Sequence, residues 1–351
     1  MITYILKRLA YGLLVMLGVV VTVFFLFFAL PGDPVSMLSG QRTDVSTREA
    51  MTHELGLDQP LHIQLGMYLN DLSPVSVHEN TPQNKQKYNY SVLWQGEKNV
   101  LVTKTPYLRR SFHSNKRVDE IIFDHLEGTL YLALAAMLFA SIVGVLFGVI
   151  AALKQNSFWD HAMISFSVIG ISAPSFVAGI LISMIFGYYL ADYTGLNLTG
   201  SLWVSDPIKG RYLELKNIIL PAFTLGLRPL AIIVQMTRGS MIEVLSQDFI
   251  RTARAKGLSR NVIIIKHALK NALNPVITAI SGWLASLLAG AFFIEYIFSW
   301  KGIGLVTIKA VDNLDFPVVM GTTIFIGFVF IIISLTVDIL YSLIDPRVRL
   351  K

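Results

Sequence analysis

Arg228, followed by Pro229, is the one charged residue between Asn217 and Thr237, and its surroundings limit what it can do. A charge at mid-bilayer depth costs at least about 2.5–3.5 kcal/mol unless it faces protein or water. Two kinds of chemistry meet that condition. One is a structural ion pair, for which Glu295 and Asp338 are the acidic residues nearest to apolar stretches. The other is a contact to the carboxylate of a passing solute. Pro174 and Pro221 also lie in apolar surroundings. Proline frees backbone carbonyls and kinks or breaks a helix, which suits a translocation path but also occurs in inert membrane helices. Arg228 and Pro174 are thus the candidate substrate-path residues.

Bond-making chemistry has no foothold. Paired carboxylates and a nucleophile elbow are absent. The seven histidines are scattered without an H-E-x-x-H spacing, and there is no cysteine, so no metal site is expected. No Gly-Lys dipeptide occurs, which rules out a phosphate loop of the G-x-x-x-x-G-K-S/T kind. No run of Asp, Glu and His follows the apolar stretches, as a proton-driven carrier commonly needs. The expectation is a chain that is not an enzyme, calls for no cofactor and borrows its energy from a partner.

The element that could receive such energy is a basic segment from Asp248 to Pro275, set between two apolar stretches. Thr252, Ala253, Arg254 and Ala255 propagate a helix, Gly257 suits the left-handed residue just past its end, and Ser259 can cap a second helix. Helical spacing puts Phe249 and Ile250 on one face with Ala253 and Gly257, with Arg251 and Arg254 turned away. A face that small lets another backbone come close. A solvated basic loop would explain the charge but not the placed glycine and cap.

Composition sets the class. Of 351 residues 54% are hydrophobic and 15% charged, and the mean hydropathy is +0.59. That composition fits a polytopic membrane protein. The net charge of +6 needs no nucleic acid, because an excess of Lys and Arg on one side orients membrane spans. Six apolar stretches are long enough to cross a bilayer, each span requiring ~20 residues: Leu9–Leu30, Gly128–Leu153, Ala162–Leu190, Asn217–Thr237, Val276–Phe298 and Val318–Ile344. The first follows Lys7 and Arg8 and is too long for a signal-peptide core, so it is expected to be retained. Alternation then puts both termini in the cytoplasm. Lys154, the basic loop 238–275 and Arg347, Arg349 and Lys351 all fall on that side. Gly144 and Gly148 form a small-xxx-small pattern for close helix packing.

The expected fold is therefore an all-α membrane protein of six transmembrane helices, with a long extracytoplasmic loop between the first two. Its parts are an N-terminal helix (1–30), a loop subdomain (31–127) and a five-helix core (128–351). Within the loop, Thr47 to Leu55 and Pro60 to Leu72 read as helices, and Asn80–Lys87 as a flexible polar stretch. Alternation through Tyr88, Tyr90, Val92 and Trp94, then Val100 and Val102, predicts a β-hairpin. The loop serves as a lid or docking surface, or is a decoration without a role.

Six stretches resemble one family. They are Pro31-Gly32-Asp33-Pro34, Leu55-Gly56-Leu57-Asp58-Gln59-Pro60-Leu61, Ala173-Pro174-Ser175-Phe176 with Gly179, Leu220-Pro221-Ala222-Phe223-Thr224-Leu225-Gly226, Arg251-Thr252-Ala253-Arg254-Ala255-Lys256-Gly257-Leu258, and Asp345-Pro346-Arg347. In this order the chain is similar to the first of the two permease subunits of bacterial dipeptide and oligopeptide ABC importers. The resemblance implies a multi-pass protein of the bacterial inner membrane that forms half of a translocation path. It implies that Thr252, Ala253, Arg254, Ala255, Lys256 and Gly257 are the coupling helix docking on an ATP-binding subunit. It also implies a second homologous permease and an extracytoplasmic solute-binding protein as partners. The chain departs from the family at Lys301 and Glu127, where proline is usual, and from about Val75 to Pro106, which resembles an insertion. The alternative is a membrane sensor or scaffold of the same fold with no transport role.

Overall fold

The computed structural model describes residues 2–28, 52, 56, 58–208 and 210–344. The Pro31–Pro34 and Asp345–Arg347 motifs, and all but Thr52 of the helix expected from Thr47 to Leu55, lie outside the described residues. The chain divides into two compact units. The larger is built chiefly from His125–Val306, and the smaller from Lys7–Asp124 with Thr307–Phe328.

Helix α1 (Ile2–Phe28) is the first expected span. In the smaller unit its residues Val20, Val23 and Phe24 pack with Tyr68 of α2 (Leu61–Leu72) and with Met320 and Ile324. The predicted hairpin is present as β2 (Ser91–Gln95) and β3 (Asn99–Thr103). It is not isolated, because β1 (Val75–Glu79) adds a third antiparallel strand in the order β1-β3-β2. Two strands alone are marginal in water, and the third lets Val100 and Val102 bury against Tyr88, Tyr90 and Tyr107. The outer edge of β1 is closed by Asn70, whose amide donates to the Val77 carbonyl at 2.9 Å and accepts from the Val77 N–H at 3.1 Å.

The polar stretch expected to be flexible is instead helix α3 (Pro82–Tyr88). Thr81 caps it by accepting from the Asn84 N–H, Pro82 opens it, and Asn89 ends it in a left-handed conformation (φ 46°). Tyr88 and Arg109 both donate to the carboxylate of Asp71, at 2.9 and 3.3 Å, tying α3 and the segment after β3 to α2. Burial pushes the Lys104 amine in this cluster down to about 8.

Helix α4 (Val118–Leu153), which belongs to the larger unit from His125 onward, is ten residues longer than the expected span, because Asp119 and Glu120 suit a helix's first turn. The third expected span is broken. Helices α5 (Phe158–Ser172) and α6 (Ser175–Met184) meet at 108° across Ala173 and Pro174, and α6 runs into a π-helical turn (Ile185–Tyr189). After α7 (Ala191–Thr194) comes an unexpected hairpin of β4 (Trp203–Asp206) and β5 (Gly210–Leu213). The described residues are thus mostly helical with two small sheets, rather than all-α.

Helix α8 (Lys216–Leu245) runs through Pro221 and Pro229 without a break, although Pro221 was expected to kink or end a helix. It forms the centre of the core. Leu230, Ile233 and Val234 are buried against Leu132, Ala136 and Ala140 of α4. Gly144 and Gly148 permit that approach, since a Cβ at Gly148 would stand 2.5 Å from the Thr237 Cβ. The remaining elements are α9 (Asp248–Ala255), α10 (Arg260–Val262), a π-helical turn (Ile263–Leu269), α11 (Lys270–Gly290), α12 (Phe292–Ile297), α13 (Ile303–Asp312) and α14 (Phe316–Ile344). Among the described residues five helices are long and apolar enough to cross a membrane, or six if the bent pair is one span.

Candidate functional site

The basic elbow follows α8 after only Ser246 and Gln247. Helix α9 ends at Ala255 and is closed by Gly257 in the left-handed region, φ +75°. The Gly257 N–H donates to the Arg254 carbonyl at 2.9 Å and the Leu258 N–H to the Ala253 carbonyl at 3.3 Å. That pair of bonds satisfies carbonyls the helix end would otherwise leave open, and it turns the chain sharply. Nothing lies within 4 Å of a Cβ placed on Gly257, so its backbone conformation, not crowding, calls for glycine.

Ser259 occupies the expected cap position, but its side chain makes no capping bond. The second helix of the expected pair is also not a separate element. From Arg260 it continues through the π-helical turn and past Pro275 into the next span, and Arg260–Leu288 is one apolar run. The helix absorbs Pro275 six residues into α11.

The faces of α9 differ from expectation too. Ile250 and Ala253 are buried against Met241, Val244, Ile263, Ala268 and Ala272 of the same chain. Phe249 is 39% exposed and Gly257 lies open. The small-residue face therefore seats the helix on its own bundle. Thr252, Arg254, Ala255, Lys256 and Gly257 remain exposed. Arg251 pairs loosely with Asp248 at 3.4 Å, both well exposed, an arrangement that contributes little to stability.

Below the elbow lies a clamp that the sequence reading missed. Arg238 donates to Asp160 through Nε at 2.6 Å and Nη2 at 2.7 Å, a bidentate pair. The Asn156 N–H donates to the same carboxylate at 2.8 Å, and Asp160 is 2% exposed. The pair ties the first turn of α5 to α8 about two turns before its end. Its signal was Ser157-x-x-Asp160, a helix-start pattern in which Ser157 accepts from the Asp160 N–H.

Arg228 is exposed on α8 and has no carboxylate within 4.0 Å among the described residues. Glu295, one of its expected partners, is fully buried and engaged elsewhere. It accepts from Thr129 Oγ1 at 2.7 Å, from the Gly304 N–H at 2.7 Å and from the Leu305 N–H at 3.2 Å. Thr129 Oγ1 in turn accepts from the Ile303 N–H, and Trp300 Nε1 donates to the Gly128 carbonyl. The side chain of Asp338 lies outside the described residues. Gln235 is exposed two helical turns beyond Arg228 on the same side of α8. Pro174 stands at the break between α5 and α6, also exposed.

Comparison with known proteins places these elements in a lineage. Residues 144–350 match the model of the binding-protein-dependent transport system inner membrane component, and residues 1–133 match the N-terminal model of such membrane components. The chain is 33% identical over 364 residues to the dipeptide transport system permease protein DppB of Alkalihalophilus pseudofirmus, covering 99% of this chain and 100% of that one. It is 36% identical over 369 residues to the protein of the same name in Escherichia coli strain K12, covering both chains completely. A crystal form of the MetNI methionine ABC transporter in an inward-facing conformation superposes with a TM-score of 0.50 at 14% identity, over 65% of this chain and 97% of that one. By the family match and the full-length relatives, this chain belongs to the binding-protein-dependent transport system inner membrane components.

Proposed function

We propose that this inner-membrane permease subunit carries di- or oligopeptides, forming half of their path in an importer powered by a separate ATPase. The observation that carries the substrate class is its end-to-end match to permeases named for dipeptide transport. Permeases of this family are not enzymes; ATP hydrolysis belongs to the partner. The bent α5–α6 pair counts as one of six spans, both termini lie in the cytoplasm, 128–351 is the permease core and 31–127 an extracytoplasmic subdomain. A second homologous permease completes the path, and a solute-binding protein delivers the cargo.

Coupling runs through Thr252, Ala253, Arg254, Ala255, Lys256 and Gly257. Ala253 seats the helix on its own bundle, and the exposed Thr252 and Ala255 meet the ATPase, a helix-in-groove contact. ATPase closure then rocks the helix bundles as rigid bodies. The absence of native cysteine gives a clean test. Ala255→Cys in the assembled transporter is expected to cross-link to a cysteine in the ATPase groove, with a yield that changes on ATP binding. No cross-link in an assembly that still hydrolyses ATP would remove the coupling role.

Arg228 and Pro174 belong to the path in this reading. A guanidinium exposed at mid-helix faces either water or a second subunit, because lipid is too costly, and a peptide carboxylate is its natural counter-ion. Arg228→Gln is expected to weaken peptide transport about tenfold or more while the complex still assembles, a loss of about 1.4 kcal/mol. Subunit co-purification alongside uptake kinetics distinguishes this from a packing role, for which assembly itself would fail.

A further inference from the structure

Beside the elbow is a cavity of about 370 Å³, walled by Leu153 of α4, Leu245 of α8, and Leu258 and Ile264 around the turn. Arg254 and Arg260 also line it. Neither guanidinium has a carboxylate within 4.0 Å among the described residues. We infer that this groove holds an anionic phospholipid, its phosphate between Arg254 and Arg260 and the start of an acyl chain along the leucine wall.

Three observations favour that occupant. The groove joins an apolar wall to two unpaired cations, which matches an amphiphile with a negative head. It opens beside the turn after Leu153, where Phe158 is 78% and Trp159 49% exposed and the Lys154 amine lies 4.9 Å from the Trp159 ring. Exposed aromatic and basic side chains of this kind mark headgroup level in a membrane, and basic pockets between helices on the cytoplasmic side take anionic headgroups. Finally, Ile263 and Ile264 belong to the π-helical turn Ile263–Leu269, a local widening of the helix that often accompanies a site.

The helix wheel of α9 sets this role on a different side from Thr252 and Ala255, the residues that meet the ATPase. With Ile250 and Ala253 inward, Asp248, Arg251, Thr252 and Ala255 project opposite, and Arg254 lies on the flank beside the groove. The inference rests on the cytoplasmic placement of the elbow, but its readout is lipid retention, which does not depend on ATPase docking.

The test uses the purified full-length chain with its partner permease in nanodiscs of phosphatidylcholine, with or without phosphatidylglycerol, read by native mass spectrometry and thermal unfolding. Wild type is expected to retain one phosphatidylglycerol per chain and to melt several degrees higher in the mixed bilayer. The Arg254→Gln/Arg260→Gln pair should lose the bound lipid and most of that shift. Arg251→Gln, which removes an equal charge from the opposite side of α9, should lose neither. Equal retention in all three proteins overturns the inference, as does an equal shift produced by inorganic phosphate in phosphatidylcholine alone. Displacement of the lipid by added ATPase subunit overturns it as well, since the groove would then be the ATPase's seat. Should the double variant fail to fold, Arg260→Gln alone provides the comparison, and unchanged lipid retention there counts against the inference.

Discussion

Gly257→Leu is expected to lower peptide uptake more than tenfold in reconstituted vesicles while the protein still inserts and assembles. The left-handed conformation at this position costs an L-residue about 1–2 kcal/mol. The two bonds that close α9 depend on that conformation, so relaxing the strain re-aims the elbow. No neighbour would clash with a new Cβ, which allows a graded series. Asparagine tolerates the left-handed region and should keep most transport, alanine should lose part, and leucine should lose nearly all because it also adds an apolar side chain to an exposed surface. If asparagine were as damaging as leucine, backbone conformation would not be the cause. If leucine were harmless, the elbow would not transmit the ATPase stroke.

The second large effect is expected at Glu295. Glu295→Ala leaves the Thr129 hydroxyl and the Gly304 and Leu305 N–H groups without their acceptor in a fully buried place. Each stranded donor costs about 1–3 kcal/mol, so the loss should exceed about 3 kcal/mol. That is enough to lower the thermal midpoint in detergent markedly or to prevent accumulation. Glu295→Gln keeps an oxygen acceptor for part of the set and should cost less, about 1–2 kcal/mol. Thr129→Val, which removes one donor and one acceptor together, should fall between them. A Glu295→Ala protein melting with wild type would mean that the bonds at the start of α13 carry no stability.

What could be read in advance was local. Gly257 announced its own backbone conformation, because a glycine after Thr-Ala-Arg-Ala-Lys has few other uses at a helix end. The apolar stretches announced themselves by length, and Pro174 marked the place where α5 and α6 part. What could not be read depended on pairing at a distance. Strand β1 pairs with β3 along its whole length, yet Val75–Glu79 alone is too short a run to tell from a loop. The Thr129–Glu295 bond joins residues 166 apart, and the Arg238–Asp160 pair residues 78 apart. Counting Arg238 only as an orienting charge hid its partner. The inward turn of Ala253 was missed for a related reason: periodicity shows which residues share a face, not what covers it.

Asn70 has a consequence beyond its own two bonds. A sheet of three strands offers two unpaired borders, and each could recruit a strand from another molecule. At β1 the Asn70 side chain occupies the backbone groups of Val77, the middle of that border, so an invading strand would find its central partners taken. At β2 the register slips between Val92 and Trp94, which spoils a regular ladder there. Both borders are thus poor templates for fibre growth.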